Sequence, residues 1–154
     1  MSEMLGNQYF LSRNFSKAKE AYENVLKAEP QNDYVKKRLI ICYTQTGEIL
    51  KAFDLFYDIV KRDIEVITNT DLVADDCPCP ELISKYENIK PNGECSRDAK
   101  LMLGMLWLYC NVQTSLEFFN MIASEEKSDI RINEIRNIIQ EKINDIEKHY
   151  SQNN

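Results

Sequence analysis

The cysteines of one central segment are the residues of this sequence best suited to chemistry. Cys77 and Cys79 flank Pro78, and Cys95 follows downstream. Thiolates are zinc ligands, and two of them held close together by prolines could share one metal ion, with Cys95 as a third ligand. Zinc sites usually place two residues between such cysteines, however, and a clear fourth ligand is missing. We keep a metal-binding or thiol-based sensor as the alternative function of this chain.

Acid–base and nucleophilic catalysis find little support in the sequence. The single histidine, His149, falls near the end of a predicted helix, where the helix dipole favours a positive charge. The sequence has no glycine-rich phosphate loop, no serine–histidine–aspartate set and no histidine pair. We therefore expect no enzymatic activity and no cofactor.

The composition is that of an ordinary globular domain. The chain has 154 residues, of which 44% are hydrophobic and 29% are charged, and this length suits one domain with a substantial core. The net charge of −6 argues against a nucleic-acid partner, because phosphate backbones attract basic surfaces.

Several features favour the cytoplasm. No secretion signal is recognisable at the N-terminus, and the longest apolar run, 101–110, is too short to span a membrane. The five cysteines are an odd number without a disulfide-framework spacing, which favours reduced thiols. We expect a cytoplasmic protein that binds neither nucleic acid nor membrane.

The predicted helices of the first 64 residues follow a sequence repeat. Two segments match each other at an offset of 34 residues, with the pairs Leu5 and Leu39, Tyr9 and Tyr43, Phe15 and Ile49, Ala18 and Ala52, Tyr22 and Phe56, and Val25 and Ile59. A fixed period of this length is typical of stacked two-helix units. It predicts helical hairpins over 2–30 and 31–64, with Ser2 and Asp33 as helix N-caps.

The repeat then breaks and resumes. Residues 65–96 predict an irregular insertion with one short helix that has Pro80 in its first turn. Residues 97–125 predict a third, divergent hairpin capped by Ser96, because Leu103-Gly104-x-x-Trp107 repeats the spacing of Leu5-Gly6-x-x-Tyr9. Residues 128–150 predict a long capping helix with one apolar stripe.

The helix predicted from residue 97 is apolar on nearly all sides. Such a helix is expected to be buried between neighbours in the middle of the array. The alternative is that it forms the interface of a homodimer, and this alternative stays open.

The repeats resemble the tetratricopeptide repeat family over residues 2–64. The first unit carries the family's signature without gaps, and the second departs from it at Ile40 and Ile64. The matching residues are Leu5, Gly6, Tyr9, Ala18, Tyr22 and Pro30 in the first unit, and Leu39, Tyr43, Ala52 and Phe56 in the second. The resemblance implies an all-α, right-handed superhelix of about seven to eight helices, forming one domain over 1–154. It also implies a non-catalytic scaffold that binds a protein or peptide.

By the same resemblance, the first helix of each hairpin lines a concave groove that receives the partner. The residues that would face it are Asn7, Phe10, Leu11, Lys37, Ile41, Thr44 and Gln45. Asn7 matches an asparagine with which chaperone-binding members hold a carboxylate, but Glu3 replaces their lysine and Arg38 their second asparagine. An acid there would repel a carboxylate, so a chaperone tail is not expected. The alternative is that these residues solvate the groove or contact the chain's own later helices.

Overall fold

The computed structural model describes residues 2–87, 96–125 and 129–153, and within these ranges the chain is helical and has no strand. The predicted all-α class is confirmed. This part of the chain contains nine helices, more than the seven to eight expected, because the insertion holds two short helices instead of one. Cys95, the loop 90–94 and Ser128 lie outside the described residues.

The chain divides into two compact units, Met1–Phe56 and Tyr57–Asn154, and the division falls within one helix. A single domain over residues 1–154 stays a prediction.

The first unit contains the first helical hairpin and part of the second. Its elements are α1 (Glu3–Leu11), α2 (Phe15–Ala28), α3 (Asp33–Gln45) and the start of α4 (Ile49–Asp63). These bounds agree closely with the predicted hairpins, because the apolar stripe and the cap residues act locally.

The helix caps of the first unit follow the expected chemistry with one correction. The Ser2 hydroxyl accepts a hydrogen bond from the Leu5 amide (3.3 Å) and caps α1 as predicted. The cap of α3 is Asn32 and not Asp33, because Asn32 has extended backbone and its amide oxygen accepts from the Val35 amide (3.1 Å). Asp33 is the first helical residue, where a carboxylate favours the positive end of the helix dipole.

Small residues let the helices of the first hairpin approach closely. A β-carbon at Gly6 would lie 2.6 Å from Cε1 of Tyr22 on α2. Ala18 is also fully buried. The sequence pattern predicts this close crossing, and the aromatic ring fills the space that the missing side chain leaves.

The second unit holds the end of α4 and all later helices. They are α5 (Glu65–Thr68), α6 (Cys79–Glu87), α7 (Arg97–Leu108), α8 (Val112–Glu125) and α9 (Ile130–Gln152). Ser96 caps α7 as predicted, with its hydroxyl 3.1 Å from the Ala99 amide. The short helix α6 begins one residue before Pro80, which occupies its first turn.

Helices α7 and α8 form the predicted third hairpin. A β-carbon at Gly104 would lie 3.0 Å from the Phe119 ring, and the buried Ser115 hydroxyl donates to the Gly104 carbonyl (2.7 Å). Nearly all of α7 is buried within this single chain, from Lys100 to Leu106 and at Leu108. The expected burial of α7 is therefore observed within this chain, whereas its place in an array and a homodimer stay predictions.

The last helix packs through the predicted stripe for most of its length. Ile132, Ile135, Ile139 and Ile143 are buried, whereas Ile146 and Tyr150 at the end of the stripe are exposed. The outer face is polar and makes ionic contacts, such as Lys142 Nζ to Glu65 Oε1 (3.0 Å).

Hydrogen bonds of Asp71 order the irregular segment between α5 and α6. Its carboxylate accepts from the amides of Val73 (3.0 Å) and Ala74 (2.9 Å), and these bonds lower the pKa of Asp71. The Cys77 amide in turn donates to the Leu72 carbonyl (3.1 Å). The segment therefore holds Cys77 and Cys79 in a defined position at the start of α6.

Candidate partner-binding surface and thiol cluster

Helices α1 and α3 share an outward-facing surface in the first unit. We call it the α1–α3 surface and define it by Met4, Asn7, Leu11, Tyr34 and Lys37. On α1, Met4 and Leu11 are 69% and 57% exposed, and Asn7 lies between them at the i+3 and i+4 positions that share one helix face. On α3, Tyr34 and Lys37 are likewise three residues apart.

The Arg38 guanidinium joins the two helices beneath this surface. Its Nη1 donates to Asn7 Oδ1 (3.3 Å) and to the Tyr22 hydroxyl (3.4 Å). Its central carbon lies 4.6 Å from the Phe10 ring centroid and 4.7 Å from that of Tyr34. Because Arg38 is only 8% exposed, this stacking fixes the relative position of α1 and α3.

Tyr22 completes the network beneath Asn7. The Tyr22 hydroxyl donates to Asn7 Oδ1 (2.6 Å). Burial raises the pKa of Tyr22 to about 12, although the nearby Arg38 opposes the rise. The phenol therefore stays protonated and keeps donating across the physiological range. The amide oxygen of Asn7 is thereby held by the chain itself.

Three of the predicted groove residues are buried. Phe10 packs against the rings of Phe15 (centroids 5.8 Å apart) and Tyr22 (6.2 Å). Ile41 and Thr44 are also buried, and the Thr44 hydroxyl donates to the Ile41 carbonyl (2.6 Å). These side chains are unavailable to a partner in this conformation. The expectation that Phe10, Ile41 and Thr44 face a groove is therefore corrected: these three side chains lie in the interior of the chain.

The other four predicted groove residues reach the surface. Leu11 is exposed, and Asn7, Lys37 and Gln45 are half-buried. Gln45 is turned toward its neighbour, with Nε2 3.1 Å from the Thr44 hydroxyl. Asn7 and Leu11 lie one turn apart on α1, Lys37 precedes the Arg38 that bonds Asn7, and Gln45 lies at the C-terminal end of α3.

Sequence reasoning missed Met4 and Tyr34 as surface residues. Met4 stands seven residues before Leu11, which places both on the same side of a helix about 10 Å apart along its axis. That side is opposite the buried Gly6 and Phe10. An apolar pair at this spacing, on the side of the helix away from the core, is the signal that would have identified Met4.

A second site gathers three cysteines in the second unit. Cys79, the first residue of α6, is fully buried and forms side-chain hydrogen bonds with both Cys77 and Cys110. Cys110 lies in the turn between α7 and α8, where its amide donates to the Trp107 carbonyl (2.9 Å). We call these three residues the thiol cluster. Cys110 is the member that sequence spacing did not indicate.

The pKa values of Cys79 and Cys110 are shifted in opposite directions. Burial raises the pKa of Cys79 well above its ordinary value, and the hydrogen bonds to Cys110 and Cys77 raise it further. The hydrogen bond from Cys79 lowers the pKa of the half-exposed Cys110, against its partial burial. Cys79 is thus the protonated donor and Cys110 the sulfur more easily ionised.

The predicted metal set is only partly placed by the structure. Cys77 and Cys79 form a side-chain hydrogen bond, and Cys95 lies outside the described residues. Among residues 2–87, 96–125 and 129–153, no group of three or more histidine, cysteine, aspartate or glutamate side chains is arranged to hold a metal ion. The three sulfurs of the thiol cluster do not form such a group.

Comparison with protein-family models, with curated proteins and with solved structures found no match to this chain. In the part of the chain that the structure describes, no helix is both long and apolar enough to cross a bilayer.

Proposed function

We propose that this chain is a non-catalytic interaction module with a tetratricopeptide-like superhelix. It binds a short apolar segment of a partner protein through the α1–α3 surface. The observation that carries the proposal is the exposure of Met4 and Leu11 on one side of α1.

The hairpin geometry supports the family resemblance. In both α1–α2 and α7–α8, a glycine of the first helix faces an aromatic ring of the second, as Gly6 faces Tyr22 and Gly104 faces Phe119. Arrays of such hairpins present extended surfaces to partners. The resemblance is the reason for proposing a right-handed superhelix and a scaffold role. The proposed cytoplasmic location rests on the cysteine pattern and on the lack of a recognisable secretion signal.

The chemistry of the surface favours an apolar segment. Met4 and Leu11 offer apolar contacts two helical turns apart, and methionine adapts its shape to different partners. Tyr34 adds an aromatic side chain of the type enriched in interface centres. Arg38, stacked beneath Tyr34, holds this ring in place before a partner arrives, which lowers the entropy lost on binding.

The proposal is tested with a peptide selected from a display library on the full-length chain. The peptide's affinity is measured by fluorescence anisotropy for the wild type, for Leu11→Asp and for Leu50→Asp. Leu50 is a matched control, because it is 65% exposed and lies on α4, a helix that contributes no residue to the α1–α3 surface.

We expect Leu11→Asp to weaken binding by about tenfold or more and Leu50→Asp to leave it within about twofold. Equal binding by all three proteins would overturn the proposed surface. Failure to select any peptide would count against an interaction module of this kind. Analytical ultracentrifugation of the wild type tests self-association. If the wild type forms a dimer and Leu11→Asp dissociates it, the partner on this surface is a second copy of the chain and not another protein.

A further inference from the structure

The thiol cluster brings together two cysteines that are far apart in the sequence. Cys79 at the start of α6 and Cys110 after α7 hydrogen-bond through their side chains. A disulfide joins two sulfurs about 2.0 Å apart, so it can form only between cysteines whose side chains already lie next to each other. This arrangement lies in the second unit and is independent of the α1–α3 surface.

A pocket opens beside the more exposed of the two sulfurs. Its volume is about 230 Å³, and it is lined by Pro80, Ile83, Ser84, Trp107 and Cys110. The walls are mostly apolar side chains, with the Ser84 hydroxyl as a polar group. A pocket of this kind admits a small alkyl or aryl group and places it next to the Cys110 sulfur.

We propose that Cys110 is a site of oxidation by apolar organic hydroperoxides, and that Cys79 converts the oxidised cysteine into a Cys79–Cys110 disulfide. Cys110 lines the pocket, and Cys79 is fully buried. The order of attack follows from this geometry, since of these two sulfurs Cys110 is the one that lines the pocket.

The reaction has two balanced steps. In the first, the Cys110 thiolate attacks the terminal peroxide oxygen, an S–O bond forms, the O–O bond breaks, and the alkoxide leaves as an alcohol after taking a proton. Cys110 becomes a sulfenic acid. In the second, the Cys79 sulfur attacks the Cys110 sulfur, the S–S bond forms, and hydroxide leaves as water with the Cys79 proton. Together, two thiols and one hydroperoxide yield one disulfide, one alcohol and one water.

The electrostatics of the cluster agree with these roles. The hydrogen bond from Cys79 lowers the pKa of Cys110, and the thiolate is the form that attacks peroxides. Cys79 has a raised pKa and therefore keeps its proton until the sulfenic acid has formed. Cys77 also contacts Cys79 but lies outside the pocket lining, so it is not required.

Peptide mapping after oxidation tests the proposal. The full-length protein is treated with cumene hydroperoxide, its remaining thiols are alkylated, and it is digested with trypsin. The expected product joins peptide 63–85, which contains Cys77 and Cys79, to peptide 101–127, which contains Cys110. Three variants assign the sulfurs: Cys77→Ser as the matched control from the same segment, Cys79→Ser and Cys110→Ser.

We expect Cys77→Ser to form the cross-link as the wild type does. Cys79→Ser should stop at a sulfenic acid on Cys110 that dimedone traps, and Cys110→Ser should form neither product. Circular dichroism verifies that each variant keeps its helices, and Cys79→Ala repeats the test with a smaller apolar side chain. A disulfide confined to peptide 63–85, or a cross-link that persists in Cys79→Ser, would overturn the assignment.

Trp107 supplies a second readout, because it is the single tryptophan and lines the same pocket as Cys110. A disulfide beside the indole should quench its fluorescence, and dithiothreitol should restore the signal. Followed in this way, cumene hydroperoxide should react about tenfold faster than hydrogen peroxide at equal concentration, since its aryl group enters the pocket. Equal rates would overturn the assignment of apolar hydroperoxides.

Discussion

Gly6 and Tyr22 are packed so closely that a β-carbon at Gly6 would lie 2.6 Å from Tyr22 Cε1 and 2.7 Å from Cδ1. The ring has little freedom to retreat, because Tyr22 is fully buried and its hydroxyl is bonded to Asn7. The first hairpin therefore depends on a glycine at this position.

Gly6→Ala should lower the free energy of unfolding by about 1–2 kcal/mol. Overpacking costs about 1–3 kcal/mol, and the better helix propensity of alanine offsets up to about 1 kcal/mol of it. Urea unfolding followed by circular dichroism measures the change. The double variant Gly6→Ala/Tyr22→Leu provides the control, because without the ring the alanine should cost less than it does alone. Strictly additive losses would contradict the contact.

Gly104→Ala should be milder than Gly6→Ala. The corresponding contacts with the Phe119 ring are longer, at 3.0–3.3 Å, so the ring has to move by only a few tenths of an ångström. We expect a loss of at most about 1 kcal/mol, because the gain in helix propensity is similar in size to the strain. The same unfolding measurement ranks the two variants, and a larger loss at Gly104 would reverse the proposed order of crowding.

Asn32→Ala should destabilise the first unit by about 1 kcal/mol, the usual value for a lost N-cap. Its amide oxygen caps α3, and its nitrogen also donates to Glu3 (2.7 Å) and Glu29 (2.9 Å). Asp33→Ala is the neighbouring control and should cost less, because Asp33 contributes mainly through the helix dipole. A greater loss from Asp33→Ala would restore the cap assignment made from the sequence.

The ion pair of Glu48 should make stability depend on pH in the acid range. Lys19 Nζ lies 2.8 Å from Glu48 Oε2, and this hydrogen bond lowers the pKa of Glu48 below its ordinary 4.5. A carboxyl whose folded pKa is lowered contributes stability above its unfolded pKa, and this contribution is lost as the pH falls through the folded value.

Between pH 6 and pH 3, the wild type should therefore lose more stability than Glu48→Gln does. The difference should be about 0.5 kcal/mol or less, because both side chains are partly exposed and water screens the pair. Urea unfolding at a series of pH values measures it. Parallel pH profiles for the two proteins would show that the pair contributes nothing.

Local sequence signals predict the hairpins well, because a helix stripe, a cap and a small-to-aromatic spacing act over a few turns. Gly6, Tyr22 and Ser96 occupy the expected places for this reason. The cap at Asn32 instead of Asp33 was ambiguous, since both residue types favour that position.

The sites were harder to predict because they depend on contacts between distant segments. Whether Ile41 faces solvent or the interior depends on what covers α3, which the repeat pattern does not state. Cys110 joins Cys79 only because the start of α6 packs near the end of α7. Nothing in the spacing of Cys77, Cys79 and Cys95 indicates that contact.

The central claim is that a partner segment lies on the α1–α3 surface, and photo-crosslinking tests it most directly. A benzophenone amino acid is placed at position 11 in one full-length protein and at position 50 in another, and each is irradiated with the peptide selected on the wild type. The account predicts a cross-linked product from position 11 and little or none from position 50. Equal yields from the two positions, or a product from position 50 alone, would contradict it.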